Sequence, residues 1–124
     1  MKSTAAPVPH EWWVICLCAE WCGVCREWRE LFERLAAAHP DLHFAWVDVE
    51  DEAQAMGDVD IETFPTMLVA HGGRPRFFGP VQPSLPQLSR LLASLMSDGG
   101  ASAREMPQAT ALLGRLESAL FSQR

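Results

Sequence analysis

Fourteen consecutive residues, Trp12 to Cys25, constrain this chain more than any others. Trp12–Cys18 (WWVICLC) is an unbroken apolar, β-prone run that reads as a buried strand. From Arg26 to Ala38 the pattern changes to a helical one, with Trp28, Leu31, Phe32 and Leu35 at i, i+3, i+4 and i+7. Between them lies Trp21-Cys22-Gly23-Val24-Cys25, two thiols one helical turn apart where strand gives way to helix. A cysteine at a helix N-terminus faces unpaired amides and the positive end of the macrodipole. Such a setting favours the thiolate, the form that attacks disulfides. Cys22 is therefore a candidate nucleophile, and Cys25, on the first turn, is close enough to close a small ring with it. The pattern is that of a dithiol–disulfide exchange centre.

The cysteine distribution supports local chemistry over a disulfide framework. Secreted frameworks spread their cysteines, whereas here Cys16, Cys18, Cys22 and Cys25 fall within ten residues. The same spacing, C-x-C-x₃-C-x-x-C, leaves open a four-thiolate zinc or iron–sulfur site. Against that reading, two of the cysteines sit on a strand and two on a helix, with no loop to wrap an ion. No cofactor or metal is expected. The histidines His10, His39, His43 and His71 have no second ligand or nucleophile at useful spacing.

A chain of 124 residues is long enough for one well-buried domain. Its net charge is −6, and the basic residues, one lysine and nine arginines, are scattered along it. No basic stripe exists for phosphates, so nucleic-acid binding is not expected. No apolar run approaches the ~18 residues of a membrane span. The N-terminus has no apolar signal-peptide segment before its prolines. A soluble, cytoplasmic protein is the expectation.

Residues 1–10, with Pro7 and Pro9, read as a mobile leader, 11–97 as the folded domain, and 98–124 as a glycine-containing joint followed by a C-terminal amphipathic helix. Within the domain, strands are expected over Trp12–Cys18, Leu42–Val49, Met67–His71 and Arg74–Phe78. Helices are expected over Cys22–Ala38 and Ser84–Met96, with a short acidic helix or turn within Glu50–Gly57. Leu42–Val49 is almost continuously apolar and reads as a central strand. Gly72-Gly73 predicts a tight hairpin turn. The terminal helix is placed at Pro107–Phe121, its apolar face formed by Leu112, Leu113, Leu116, Ala119 and Leu120. The fold class is α/β: a mixed central sheet flanked by helices, with a parallel, right-handed first strand–helix–strand unit.

With these pieces in order, the sequence resembles the thioredoxin family. The resemblance is carried by Ala19-Glu20-Trp21-Cys22-Gly23-Val24-Cys25, Val47-Asp48-Val49-Glu50, Phe64-Pro65-Thr66 before an apolar strand, and Phe78-Gly79 before the last helix of the domain. It implies a thioredoxin-like fold with a shortened N-terminus and an extra C-terminal helix. The implied activity is that of a protein-disulfide reductase, with Cys22 and Cys25 as the catalytic pair. It further implies a cis bond before Pro65 and a substrate groove lined by Trp21, Gly23, Val24, Phe64, Pro65 and Gly79. The partners implied are protein disulfides and a thioredoxin-reductase-type electron donor. A thioredoxin-fold chaperone or scaffold with a dedicated partner is the alternative from another class, beside the metal site.

The chain departs from the family pattern in four places. Gly23-Val24 replaces the usual Gly-Pro. Cys16 stands where the family has a buried aspartate that manages the second cysteine's proton, and Trp46 stands at that acid's lysine partner. Cys18 falls where many relatives carry tryptophan. The family's opening strand and helix are expected to be missing or reduced, with the C-terminal helix covering the surface they leave. Cys16 is a possible accessory thiol, within reach of Cys25; the bland reading makes Cys16 and Cys18 small buried hydrophobes. Loss of the acid removes a general base, so release of a mixed disulfide is expected to be slow.

Overall fold

The computed structural model describes residues 12–97 and 106–118. The leader at 1–10 and the joint at 98–102 lie outside the described residues. The chain runs β1 (Trp12–Cys18), α1 (Gly23–Ala38), β2 (His43–Asp48), α2 (Ala53–Met56), β3 (Thr66–His71), β4 (Arg74–Pro80), α3 (Leu85–Ser97) and α4 (Pro107–Leu116). The strands form one mixed sheet in the order β2-β1-β3-β4. β1 runs parallel to β2 and antiparallel to β3, and β3 and β4 form an antiparallel hairpin.

Alternation along the two central strands divides the interior into two cores, because successive side chains point to opposite faces. On one face Val14, Cys16 and Cys18 of β1 and Met67 and Val69 of β3 pack against Trp28, Phe32 and Leu35 of α1 and Leu88 and Leu92 of α3. On the other face Ile15, Leu17, Leu68 and Ala70 meet Ala55 and Met56 of α2 and Ala109, Leu112, Leu113 and Leu116 of α4. Leu112, Leu113 and Leu116 of the expected apolar face are thus residues that dock. The helix itself ends at Leu116, and residues 119–121 of the expected span lie outside the described residues.

β2 is an edge strand among the described residues, not the central one its apolar run suggested. Phe44 and Trp46 of β2 are apolar because they pack beside Phe32, with ring centroids 5.6 Å apart in both cases. A strand needs apolar side chains when its faces are covered, whether or not both of its edges are paired. The β3–β4 turn fits its glycines: φ is +63° at Gly72 and +80° at Gly73, conformations that L side chains rarely adopt. A bulge opposite Val69/Ala70 lets β4 carry Pro75 on its way past β3, as an edge strand can.

Candidate functional site

β1 delivers Cys18 and Ala19 to the sheet end, and a tight turn then reverses into α1. The Cys22 amide donates to the Ala19 carbonyl (3.0 Å), and the Arg26 amide donates to the Cys22 carbonyl (3.1 Å). Cys22 is the N-cap of α1, with extended backbone (φ −86°, ψ 121°) and no side-chain capping bond. Its thiol is free and partly exposed, at the end where the first-turn amides favour negative charge. Cys25, one turn on, is 1% exposed. Gly23 and Val24 of the first turn lie open to solvent.

Asp48 holds the loop beside this turn. Its carboxylate accepts from the amides of Glu20 (3.0 Å), Glu50 (2.9 Å) and Asp51 (3.2 Å). The neighbouring Glu50 accepts the Trp21 indole N–H at 2.8 Å. Trp21, 62% exposed, stands edge-on to Phe64 with ring centroids 5.6 Å apart. The Phe64–Pro65 peptide bond is cis, and Pro65 is buried at the start of β3.

Trp21, Cys22 and Phe64 share a groove of about 620 Å³. Its remaining wall comes from Val49, Ala53, Met56, Val59, Ile61 and the segment up to Thr63. The structure therefore brings together two of the six residues expected to line the groove, Trp21 and Phe64, with the catalytic candidate Cys22. Gly23, Val24, Pro65 and Gly79 do not line it, although Gly79 is partly exposed on β4 opposite Met67. The α2 side of the groove was not legible in the sequence, because Ala53, Met56 and Val59 look there like ordinary core residues. A second cavity, about 330 Å³, borders Cys25 together with Ala19, Glu20, Asp48 and Trp46.

The sulfurs are arranged differently from the expectation. Cys25 is joined in a disulfide to Cys18, while Cys22 and Cys16 are thiols. The Cα atoms of Cys18 and Cys25 are 5.8 Å apart, within the ordinary span of a disulfide. Cys16 and Cys18 do share a face, as their i, i+2 spacing requires, with sulfurs 3.9 Å apart. The thiol bonded to Cys25 is thus Cys18, two residues beyond the one singled out as accessory. The only sequence signal for it was that shared face. The Ala19 amide donates to the Cys25 sulfur at 3.5 Å. Burial pushes the Cys16 thiol up to about 12, with the Trp28 indole lowering it by a smaller amount, so Cys16 stays protonated at neutral pH. Among the described residues, no group of three or more His, Cys, Asp or Glu side chains is placed to hold a metal ion.

A family model, Thioredoxin, matches residues 4–84, more than half of the chain. The chain belongs to the thioredoxin family. It is 35% identical over 60 residues to "Putative thioredoxin 2" of Streptomyces coelicolor, covering 48% of this chain and 45% of that protein. It is 33% identical over 70 residues to thioredoxin of Alicyclobacillus acidocaldarius, covering 56% and 62%. The chain spans about half the length of the curated relatives it matches. Among solved structures, Fasciola hepatica thioredoxin matches with a TM-score of 0.58 at 28% identity, covering 68% of this chain and 81% of that one. A poplar thioredoxin h shares the fold at 21% identity, with a TM-score of 0.62 over 70% of this chain and 78% of the other. No helix among the described residues is long and apolar enough to cross a membrane.

Proposed function

We propose that the chain is a thiol–disulfide oxidoreductase that reduces protein disulfides through Cys22 and Cys25. One observation carries this reading: a partly exposed Cys22 at the N-cap of α1 shares a groove with Trp21 and Phe64, while Cys25 lies buried one turn behind. An extended substrate segment laid along the groove beside Phe64 places its disulfide at the Cys22 sulfur, in the manner of an added strand. The Cys22 thiolate attacks, one substrate sulfur leaves, and a mixed disulfide forms. Cys25, in its thiol form, then attacks the Cys22 sulfur and releases the second substrate sulfur. An electron donor of the thioredoxin-reductase type restores the dithiol. The reading places the protein in the cytoplasm, where reducing conditions drive the cycle toward substrate reduction.

The test is reduction of insulin disulfides by the full chain with dithiothreitol as electron source. Cys22→Ser is expected to lower the rate to that of dithiothreitol alone. Cys25→Ser, incubated with insulin in the absence of dithiothreitol, is expected to accumulate a covalent Cys22–substrate adduct, visible by mass spectrometry. Undiminished insulin reduction by Cys22→Ser would remove Cys22 from the mechanism. A zinc or iron–sulfur role requires all four cysteines as thiolates, and the Cys18–Cys25 bond consumes two of them. No specific observation favours that role or the scaffold alternative.

A further inference from the structure

The thiols form a series from surface to core. Cys22 is partly exposed on the groove, Cys25 is 1% exposed behind it, and Cys18 is 0% exposed on the sheet beneath. Cys25 is the middle member, since it lies one helical turn from Cys22 and is bonded to Cys18. Two elements fix the inner pair independently of Cys22: the C-terminal end of β1 supplies Cys18, and the first turn of α1 supplies Cys25. The resulting Cα separation of 5.8 Å falls where a disulfide closes without backbone movement. Both sulfurs lie in one apolar cluster with Trp28 and Met67, out of reach of an external thiol.

We propose that Cys18 is a third redox cysteine, which draws the disulfide inward by attacking Cys25 and returning Cys22 to the groove as a thiol. The proposal rests on the reductase reading above and extends it by one step. After substrate release the chain holds Cys22–Cys25. The Cys18 sulfur attacks Cys25 Sγ, the Cys18–Cys25 bond forms and the Cys22–Cys25 bond breaks. Cys18 is oxidised and loses its proton, while Cys22 is reduced and gains one. The exchange is internal, so no outside oxidant or reductant is consumed.

Local groups suit this exchange. The departing sulfur is Cys22, at the helix end where first-turn amides favour developing negative charge. The attacked sulfur accepts the Ala19 amide at 3.5 Å. In the reverse step Cys18 leaves, and the Cys16 thiol 3.9 Å away donates to its sulfur. Cys16 retains its proton for that purpose because burial holds it in the thiol form. Cys16 is thus a positioning residue, whereas Cys18 is bonded to the reacting atom. The oxidised protein keeps an available Cys22 with no resolving partner, so a second disulfide substrate remains attached to it until an external thiol attacks the mixed disulfide and frees Cys22.

The experiment is to oxidise the fully reduced chain with one equivalent of diamide, alkylate with iodoacetamide, quench in acid and map the peptides. Wild type is expected to give a Cys18–Cys25 linked peptide with Cys22 alkylated. Cys18→Ala is expected to give Cys22–Cys25 with Cys22 labelling almost abolished. Cys22→Ser, which removes the entry point and leaves the buried pair untouched, is expected to keep Cys18 and Cys25 reduced, and it keeps the test decisive if Cys18→Ala fails to fold. Formation of Cys18–Cys25 in Cys22→Ser as fast as in wild type would show direct oxidation of the buried pair and overturn the relay. A wild-type protein that yields Cys22–Cys25, with Cys18 alkylated only after unfolding, overturns the proposal while leaving an active insulin reductase intact. If wild type forms Cys18–Cys25 but reduces no insulin, the underlying reading fails, the relay fails with it, and the bond is a structural cross-link.

Discussion

Cys16 shows what burial does to a single ionisable atom. Its side chain is 0% exposed among Trp28, Met67 and the other cysteines, and its thiol is pushed from 9.0 up to about 12, chiefly by desolvation. A group whose folded pKa lies above its unfolded value contributes stability fully below the unfolded value. That stability is lost as pH rises from about 9 toward 12. Across that window Cys16 is expected to lower stability by about 1.4 kcal/mol per pH unit. Denaturant midpoints of wild type and Cys16→Ala, measured from pH 8 to 11, should diverge, with the wild type falling more steeply. Parallel curves would mean that Cys16 titrates as freely in the folded chain as in the unfolded one. The clustering of all four cysteines was plain from the sequence, as was the placing of Cys22 at a helix start with Cys25 on its first turn. Cys18 was not identified as Cys25's partner, because which of the two same-face strand thiols meets the first turn of α1 depends on how far along β1 the chain reverses.

At the level of elements, α4 is held by more than its apolar stripe. Leu112 and Leu116 are 0% exposed, and Leu113 is 2% exposed. Arg115 donates from Nε to the Ala55 carbonyl (2.5 Å) and from a terminal nitrogen to the Met56 carbonyl (3.1 Å), satisfying the last carbonyls of α2. Truncating Leu112 to alanine is expected to cost about 2–5 kcal/mol. Arg115→Met, which leaves two carbonyls without these donors, should cost about 1.5–3 kcal/mol. Equilibrium urea unfolding measures both, and a loss below about 0.5 kcal/mol for Leu112→Ala would show that the helix contributes little to the core. The amphipathic periods of α1, α3 and α4 were readable, because a helix buries one stripe whatever it packs against. The edge position of β2 was not, because apolar side chains record which faces are covered and carry no information on which edges are paired.

Over the whole molecule, α4 completes a core that the sheet cannot close alone. Ile15, Leu17, Leu68 and Ala70 lie beneath α2 and α4, and α2 is only four residues long. Ending the chain at Ser97 is therefore expected to expose this face. Burial of each leucine is worth roughly 1.5–3 kcal/mol, enough in sum to lower Tm by more than about 10 °C or to prevent folding. An undiminished Tm would show that the sheet face is satisfied without α4. The groove is also a product of the whole fold, since Trp21, Met56 and Phe64 come from three separate stretches of chain. By itself the sequence determined the α/β fold class, the element order, Cys22 at a helix start and Phe64-Pro65 before a strand. Each of these is written in local periodicity or in a short motif. Only the tertiary structure decided that Cys25 is bonded to Cys18, that α2 supplies a groove wall and that β2 stands at an edge. Those outcomes depend on which distant surfaces come into contact, and contact between distant surfaces follows from packing the complete chain.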